Sequence, residues 1–269
     1  MKRYILPVLL FSVLLSACSS HPYKQTNKFY RKQAKELAKS LRDIPPVEGY
    51  GGKIADYQIG TTNFNLRKPN YVIIHHTAQN SCDQTLKTFV LQRTQVSAHY
   101  VVCKDGTVHH MLNDYLRAWH AGAAKWGSLT DVNSTSIGIE LDNNGNEPFS
   151  ESQINSLILL LEKLKKNYSI PTANFIGHAD IAPRRKPDPN AFFPWKKLAE
   201  HGFGYWPDMI VEVVPPGFNS INALRIIGYD TKDSVAAIKA FKLHFVQTDL
   251  SPRLTEADKG LLYNLSKKY

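Results

Sequence analysis

Apolar and polar positions divide the chain into stretches of unlike character. From Tyr71 the continuous run Tyr-Val-Ile-Ile-His has the pattern of a strand buried on both faces, where no polar alternation is needed. His99-Tyr-Val-Val-Cys, Ser136-Ile-Gly-Ile-Glu-Leu and Asn174-Phe-Ile-Gly-His read as further strands. Residues 83–95 and 151–168 between them read as helices. The second places Ile154, Leu157, Ile158, Leu161 and Leu164 at helical spacing, with Ser150 as its N-cap. Strands alternating with helices predict an α/β domain, its central mixed sheet mostly internal and flanked by helices.

The two ends of the chain follow other rules. Lys2 and Arg3 precede a short apolar run, Tyr4 to Leu15, and then Leu15-Ser16-Ala17-Cys18. That run is too short to span a bilayer as a helix and reads as a secretion signal over residues 1–18. Its last four residues resemble a bacterial lipobox, in which the cysteine, here Cys18, becomes the lipidated first residue. Ser19 after it fits transfer to the outer membrane. In residues 19–60 Lys24, Lys28, Arg31, Lys35, Lys39 and Arg42 recur every three or four positions, opposite a thin stripe of Leu37, Ala38 and Leu41. This predicts a basic tether: either a solvated helix or an arm lying on anionic headgroups or cell wall. Pro45-Pro46 ends it.

Beyond Pro215-Pro216-Gly217 there is no strand-like run. Three helical patterns take over: Asn219 to Ile227, Lys232 to Phe245 and Thr255 to Lys267, the last opened by a Thr255/Asp258 capping box. A small three-helix domain over residues 215–269 is expected, joined at a hinge to a domain at 61–214.

Charge narrows the partner only after the signal is taken into account. A formal net charge of +10 over 269 residues suits nucleic acid, a membrane surface or an anionic polymer such as cell wall. A secreted chain meets the last two and no nucleic acid. Cys82 and Cys103 remain after processing; an oxidising compartment allows them to pair, but their spacing does not show whether they do.

Among ten histidines, His75 and His178 each end a predicted buried strand, where functional groups of open α/β sheets collect. Asp188 lies ten residues beyond His178 in a proline-rich loop. Two imidazoles and a carboxylate can make a three-ligand catalytic zinc site with a fourth position left for water, though many histidine-rich enzymes contain such a triple.

Seven short motifs occur in order: Ile-Ile-His75-His-Thr77, Ser97-Ala-His99-Tyr100, Ala118-Trp-His120-Ala-Gly122, Ser136-Ile-Gly-Ile-Glu140-Leu, Gly177-His178-Ala-Asp-Ile-Ala-Pro183, Arg185-Lys186-Pro-Asp188-Pro189 and Phe193-Pro-Trp195. This series resembles the zinc-dependent N-acetylmuramoyl-L-alanine amidases (amidase type 2, the fold shared with peptidoglycan recognition proteins). Within that family the nearest likeness is to outer-membrane lipoprotein amidases of the AmiD type. The resemblance implies hydrolysis of the amide between the lactyl group of N-acetylmuramic acid and the L-alanine of the stem peptide. It implies one zinc ion on His75, His178 and Asp188, with Glu140 as general base and Lys186 on the oxyanion. His99 and His120 would line the sheet or touch substrate, and His76, on the opposite strand face, would pack. The implied partners are peptidoglycan and muropeptides, with the outer membrane's inner leaflet held through the lipid anchor and the protein facing the periplasm. Two other readings remain: a non-catalytic wall-binding protein of the same fold, and a zinc peptidase acting within the stem peptide. The resemblance departs at Asp188-Pro189-Asn190, where the family commonly has glycine third; asparagine is expected to keep the turn by tolerating positive φ. The C-terminal residues resemble a peptidoglycan-binding three-helix module, or else a cap that stabilises the amidase domain.

Overall fold

The computed structural model describes residues 22–41, 68–208 and 213–269. The signal segment, Cys18 and residues 42–67 lie outside the described residues. The chain divides into two compact units, residues 1–61 and 62–269.

Among the described residues of the first unit a helix, α1 (Lys24–Ser40), forms over the basic repeat, and none of its residues is buried. Among the described residues no helix is long and apolar enough to cross a membrane.

The second unit is built on a five-stranded mixed sheet with strand order β3-β2-β4-β1-β5. The strands are β1 (Tyr71–His76), β2 (Tyr100–Val102), β3 (Val108–His110), β4 (Ser136–Leu141) and β5 (Phe175–Gly177). Strands β2, β4, β1 and β5 run parallel, and β3 pairs antiparallel with β2 at the edge. The four expected strands are all present. The edge strand β3 was not expected, because Val108-His109-His110 is too short and polar to signal one.

Helices cover both sheet faces, so the central strands need no polar side. Val72, Ile74, Ile137, Ile139 and Leu141 pack on α3 (Glu151–Tyr168) through Ile154, Leu157, Ile158, Leu161 and Leu164. Ser150 caps α3 as its sequence predicts, accepting from the Gln153 N–H. The other helix between the strands, α2 (Cys82–Val90), stops short of the expected residue 95. Leu91 turns extended there, and the Thr94 hydroxyl takes the carbonyls of Thr88 and Leu91 that a longer helix would have used. Cys82 and Cys103 form a disulfide with Cα atoms 5.4 Å apart, joining α2 to the end of β2.

The opposite sheet face is covered largely by the C-terminal helices. Ile73 of β1 and Ile176 of β5 share one apolar cluster with Ile181 of the short helix α4 (His178–Ile181). To that cluster α6 (Ser220–Ile227) adds Leu224 and Ile227, α7 (Ser234–Phe245) adds Phe241 and Phe245, and α8 (Glu256–Ser266) adds Leu262 and Leu265. Between α4 and α6 lies α5 (Trp195–Glu200), whose Trp195 and Leu198 pack on the α3 side. The three expected C-terminal helices therefore form with their boundaries nearly as read, but they fill the same core as the sheet.

Candidate metal centre

Strand alternation places the site. On β1 the residues Tyr71, Ile73 and His75 share one face, and on β4 Ser136, Gly138 and Glu140 share it too. His75 and Glu140 are direct partners in the parallel register, and Ile74 pairs with Gly177, the residue before His178. The ends of three neighbouring strands thus deliver two imidazoles and a carboxylate to one point. Asp188 arrives from the following loop, tied down where its carbonyl accepts from the Ala179 N–H at 2.7 Å.

The three expected ligands converge. His75 Nδ1 lies 2.9 Å from His178 Nδ1, and Asp188 Oδ2 lies 3.2 Å from the first and 3.0 Å from the second. All three residues are at most 5 % exposed. Glu140 Oε1 stands 4.0 Å from His75 Nδ1, while Glu140 Oε2 is buried without a hydrogen-bond partner.

Hydrogen-bond polarity shows what these atoms offer. The Val132 carbonyl can only accept, so the Ser136 hydroxyl donates to it at 2.6 Å. Ser136 Oγ then accepts from His120 Nε2–H at 3.2 Å, and bare His120 Nδ1 accepts from His75 Nε2–H at 3.0 Å. His75 Nδ1 is left with a lone pair. His178 reaches the same state separately, its Nε2–H donating to the Ala121 carbonyl at 3.1 Å. Two imidazole lone pairs and a carboxylate oxygen therefore face one another at about 3 Å, an arrangement that repels unless a cation lies among them. Ligand bonds of about 2.0–2.1 Å in a tetrahedron leave donor atoms about 3.3 Å apart, close to the separations found. The donor set fits a zinc ion.

Electrostatics agree. Burial, then the neighbouring His178, pushes His75 down to about 4, so it is neutral and ready to ligate. Burial, then His75, holds His120 well below the usual histidine value, as a relay of single N–H donors requires. Burial would raise Asp188, but its contacts with His178 and His75 outweigh that and keep it ionised. Burial, reinforced by the charge of Asp188 and opposed by Lys186, lifts Glu140 to about 8. A dication beside Glu140 would act against that rise.

The cleft over this point has a volume of about 320 Å³. Lys186 lines it without an ion-pair partner among the described residues, and Phe89, Val96 and Trp119 give it an apolar wall. Trp119 is half exposed at the rim. His99 does not reach the cleft: it accepts from the Gly138 N–H and donates to the Leu116 carbonyl, a buried structural role. His120 both lines the cleft and holds His75. His76, on the other face, accepts from the Asn190 N–H.

The expected positive φ at Asn190 is corrected: Asn190 is not among the residues with that conformation. Its side chain instead donates to Asn143 Oδ1 and the Glu147 carbonyl and accepts from the Phe192 N–H, holding the loop by hydrogen bonds where a positive-φ asparagine was expected.

Several supporting residues escaped the sequence reading. Gly138 lies under the His120 ring, and an added Cβ would fall 2.4 Å from it; an isolated glycine inside a strand was the available signal. Arg185 donates to the carbonyls of Ala121 and Ala123, and Asn133 Oδ1 accepts from the N–H groups of His120 and Ala121. Together they hold the segment that His178 donates to. No local pattern marks a backbone clamp of this kind.

A family model described as N-acetylmuramoyl-L-alanine amidase matches residues 65–191. The N-acetylmuramoyl-L-alanine amidase AmiD of Escherichia coli is 33% identical over 230 residues, covering 74% of this chain and 82% of that protein. The solved structure of its complex with the substrate anhydro-N-acetylmuramic acid-L-Ala-D-gamma-Glu-L-Lys superposes with a TM-score of 0.69 at 30% identity, over 80% of this chain and 96% of that one. AmpDh3 of Pseudomonas aeruginosa, bound to anhydromuramic pentapeptide, gives a TM-score of 0.69 at 27% identity, over 81% of this chain and 98% of that one.

Proposed function

The chain belongs to the N-acetylmuramoyl-L-alanine amidase family and has that hydrolytic activity; from this premise we propose which of its residues do the work and on what substrate. His75, His178 and Asp188 hold a single zinc ion, and the observation that carries this is the convergence of their three lone-pair atoms. Bound there, zinc supplies Lewis acidity toward the scissile carbonyl and lowers the pKa of water toward neutrality. Glu140, whose Oε1 stands 4.0 Å from His75 Nδ1 and whose buried Oε2 has no hydrogen-bond partner, takes the proton from the attacking water as the new C–O bond forms. It then passes the proton to the L-alanine nitrogen as the C–N bond breaks. Lys186 reaches over the cleft to stabilise charge on the tetrahedral oxygen. Phe89, Val96 and Trp119 offer an apolar wall to a muropeptide, and the anhydromuramyl peptides bound by the two structural relatives support that substrate class.

Residues 1–18 support a lipid anchor at Cys18 in the outer membrane, facing the periplasm and the wall. Cys18→Ser is then expected to move the protein from the membrane fraction to the soluble one; retention on membranes washed with high salt would argue against the anchor.

The decisive assay incubates the purified protein with soluble muropeptides and identifies the new termini by mass spectrometry. Release of peptides beginning with L-alanine is expected, and cuts inside the stem peptide would make it a peptidase instead. Glu140→Gln is expected to keep zinc and lose about 10²- to 10⁴-fold in turnover. A near wild-type rate in that variant would put the base elsewhere.

A further inference from the structure

Asp180 stands two residues after His178, in the single turn of α4, and is 1 % exposed. Its carboxylate accepts three hydrogen bonds. One is local, from the Gly177 N–H to Oδ2 at 2.7 Å, and it fixes the start of the turn on which His178 stands. The other two come from the C-terminal helical segment: Tyr229 O–H donates to Oδ1 at 2.7 Å, and His244 Nδ1–H donates to Oδ2 at 2.7 Å. Tyr229 is 3 % exposed and His244 4 %. A carboxylate so buried must find its donors in the protein, and two of its three lie outside the sheet-forming part of the chain.

The surroundings leave little room for adjustment. The His244 ring stacks on Trp195 at 3.8 Å between centroids. Trp195 in turn lies 3.0 Å from where a Cβ on Gly177 would stand. Tyr229 packs edge-on against Trp126. Ile181, the last residue of the same turn, is buried in the cluster that contains Phe241 and Leu224. The α4 turn is thus held from the C-terminal side by two hydrogen bonds and by packing, and His178 is its first residue.

We propose that Asp180, Tyr229 and His244 are positioning residues for His178, so that the C-terminal helices set the stance of one zinc-binding imidazole. This rests on the zinc reading above. It gives those helices a part in the metal centre that is independent of any grip on the cell wall. Without the donors from Tyr229 and His244, the Asp180 carboxylate must turn toward water or other groups. The α4 turn then moves, and with it the aim of His178 Nδ1 relative to His75 and Asp188. Outlying partners of metal ligands are worth about 10- to 100-fold in affinity, which sets the size of effect to look for.

The test measures zinc dissociation constants of the full chain by competition with a chromophoric chelator, alongside the cobalt(II) absorption spectrum and the melting temperature of the metal-free protein. Tyr229→Phe keeps the ring and removes one donor; it is expected to weaken zinc by about 10-fold and to alter the cobalt spectrum. His244→Leu is expected to weaken zinc further, toward about 100-fold. His244→Asn, whose amide N–H can stand where Nδ1–H stood, is expected to recover most of the loss. Equal zinc affinities and identical cobalt spectra in all variants, with only the melting temperature lowered, would leave these residues a purely structural role and overturn the proposal. A wild-type chain that takes up no zinc would remove the metal reading and this inference with it. Tyr229→Phe is the mildest of the changes and keeps the test open if His244→Leu fails to fold.

Discussion

Helices α1 and α7 both carry lysines, yet α1 buries none of its 17 residues while α7 buries eight of its 12. The difference lies in what each leaves unsatisfied. In α1 six cations, Lys24, Lys28, Arg31, Lys32, Lys35 and Lys39, leave only a thin apolar stripe, and water satisfies nearly everything the helix presents. In α7 the apolar residues run almost all the way round, and each of the two polar groups caught among them has a partner. Lys242 donates to Asp249, Ser251 and the Arg253 carbonyl and pairs with Asp258 at 3.1 Å, and His244 donates to Asp180. A helix with buried polar groups so matched is committed to one place, whereas a solvated helix carries no such commitment.

The sharpest way to break this comparison is deletion. Removing residues 215–269 would bare Ile73, Ile176 and Ile181 and leave Asp180 with its local donor alone. Turnover of small soluble muropeptides is expected to vanish and the melting temperature to collapse. Removing residues 22–41 is expected to leave both as they were. A paired assay of soluble turnover and thermal melting on the two deletions decides it. A stable, active chain ending at residue 214 would show that α6–α8 form a separate module.

A smaller effect is expected inside α7. Lys242→Met removes the charge that faces Asp258, itself buried and capping α8 through the Thr255 N–H. The uncompensated carboxylate is expected to lower the melting temperature by roughly 5–10 °C while zinc binding stays near wild type. A melting curve with a metal titration checks both halves. The smallest effect belongs to α1. Replacing Lys28, Arg31 and Lys35 together by glutamine is expected to leave soluble turnover and melting temperature unchanged, since each side chain sits in water. A measurable loss of turnover would show that the basic helix contributes to the chemistry.

The candidate site was legible to an unusual depth because its residues lie on or beside strands. Once β1 and β4 are read as buried strands, alternation alone puts His75 and Glu140 on defined faces, and parallel register sets them side by side. His178 was visible for the same reason, as the residue where an apolar run meets a turn. His244 was not singled out, although a histidine and a lysine inside an otherwise apolar helical run are a recognisable signal that both have buried partners. Asp180 lay inside a recognised motif without a role. Its partners are 49 and 64 residues away, and no local pattern encodes such a distance.

The sequence by itself determined the alternation of strands and helices, the strand ends that carry His75, Glu140 and His178, the helical character of the last fifty-odd residues and the basic repeat of α1. These follow from periodicity and from side-chain chemistry, which act over a few neighbouring residues. Only the tertiary structure decided that Cys82 meets Cys103, that His120 hands a hydrogen bond from His75 to Ser136, and that Asn190 holds its loop without a positive φ. It alone decided that α6–α8 share one apolar cluster with Ile73, Ile176 and Ile181, where the prolines at 215 and 216 had suggested a hinge. Proline restricts the backbone at its own position, but whether two segments share a core depends on which apolar faces find each other across the fold.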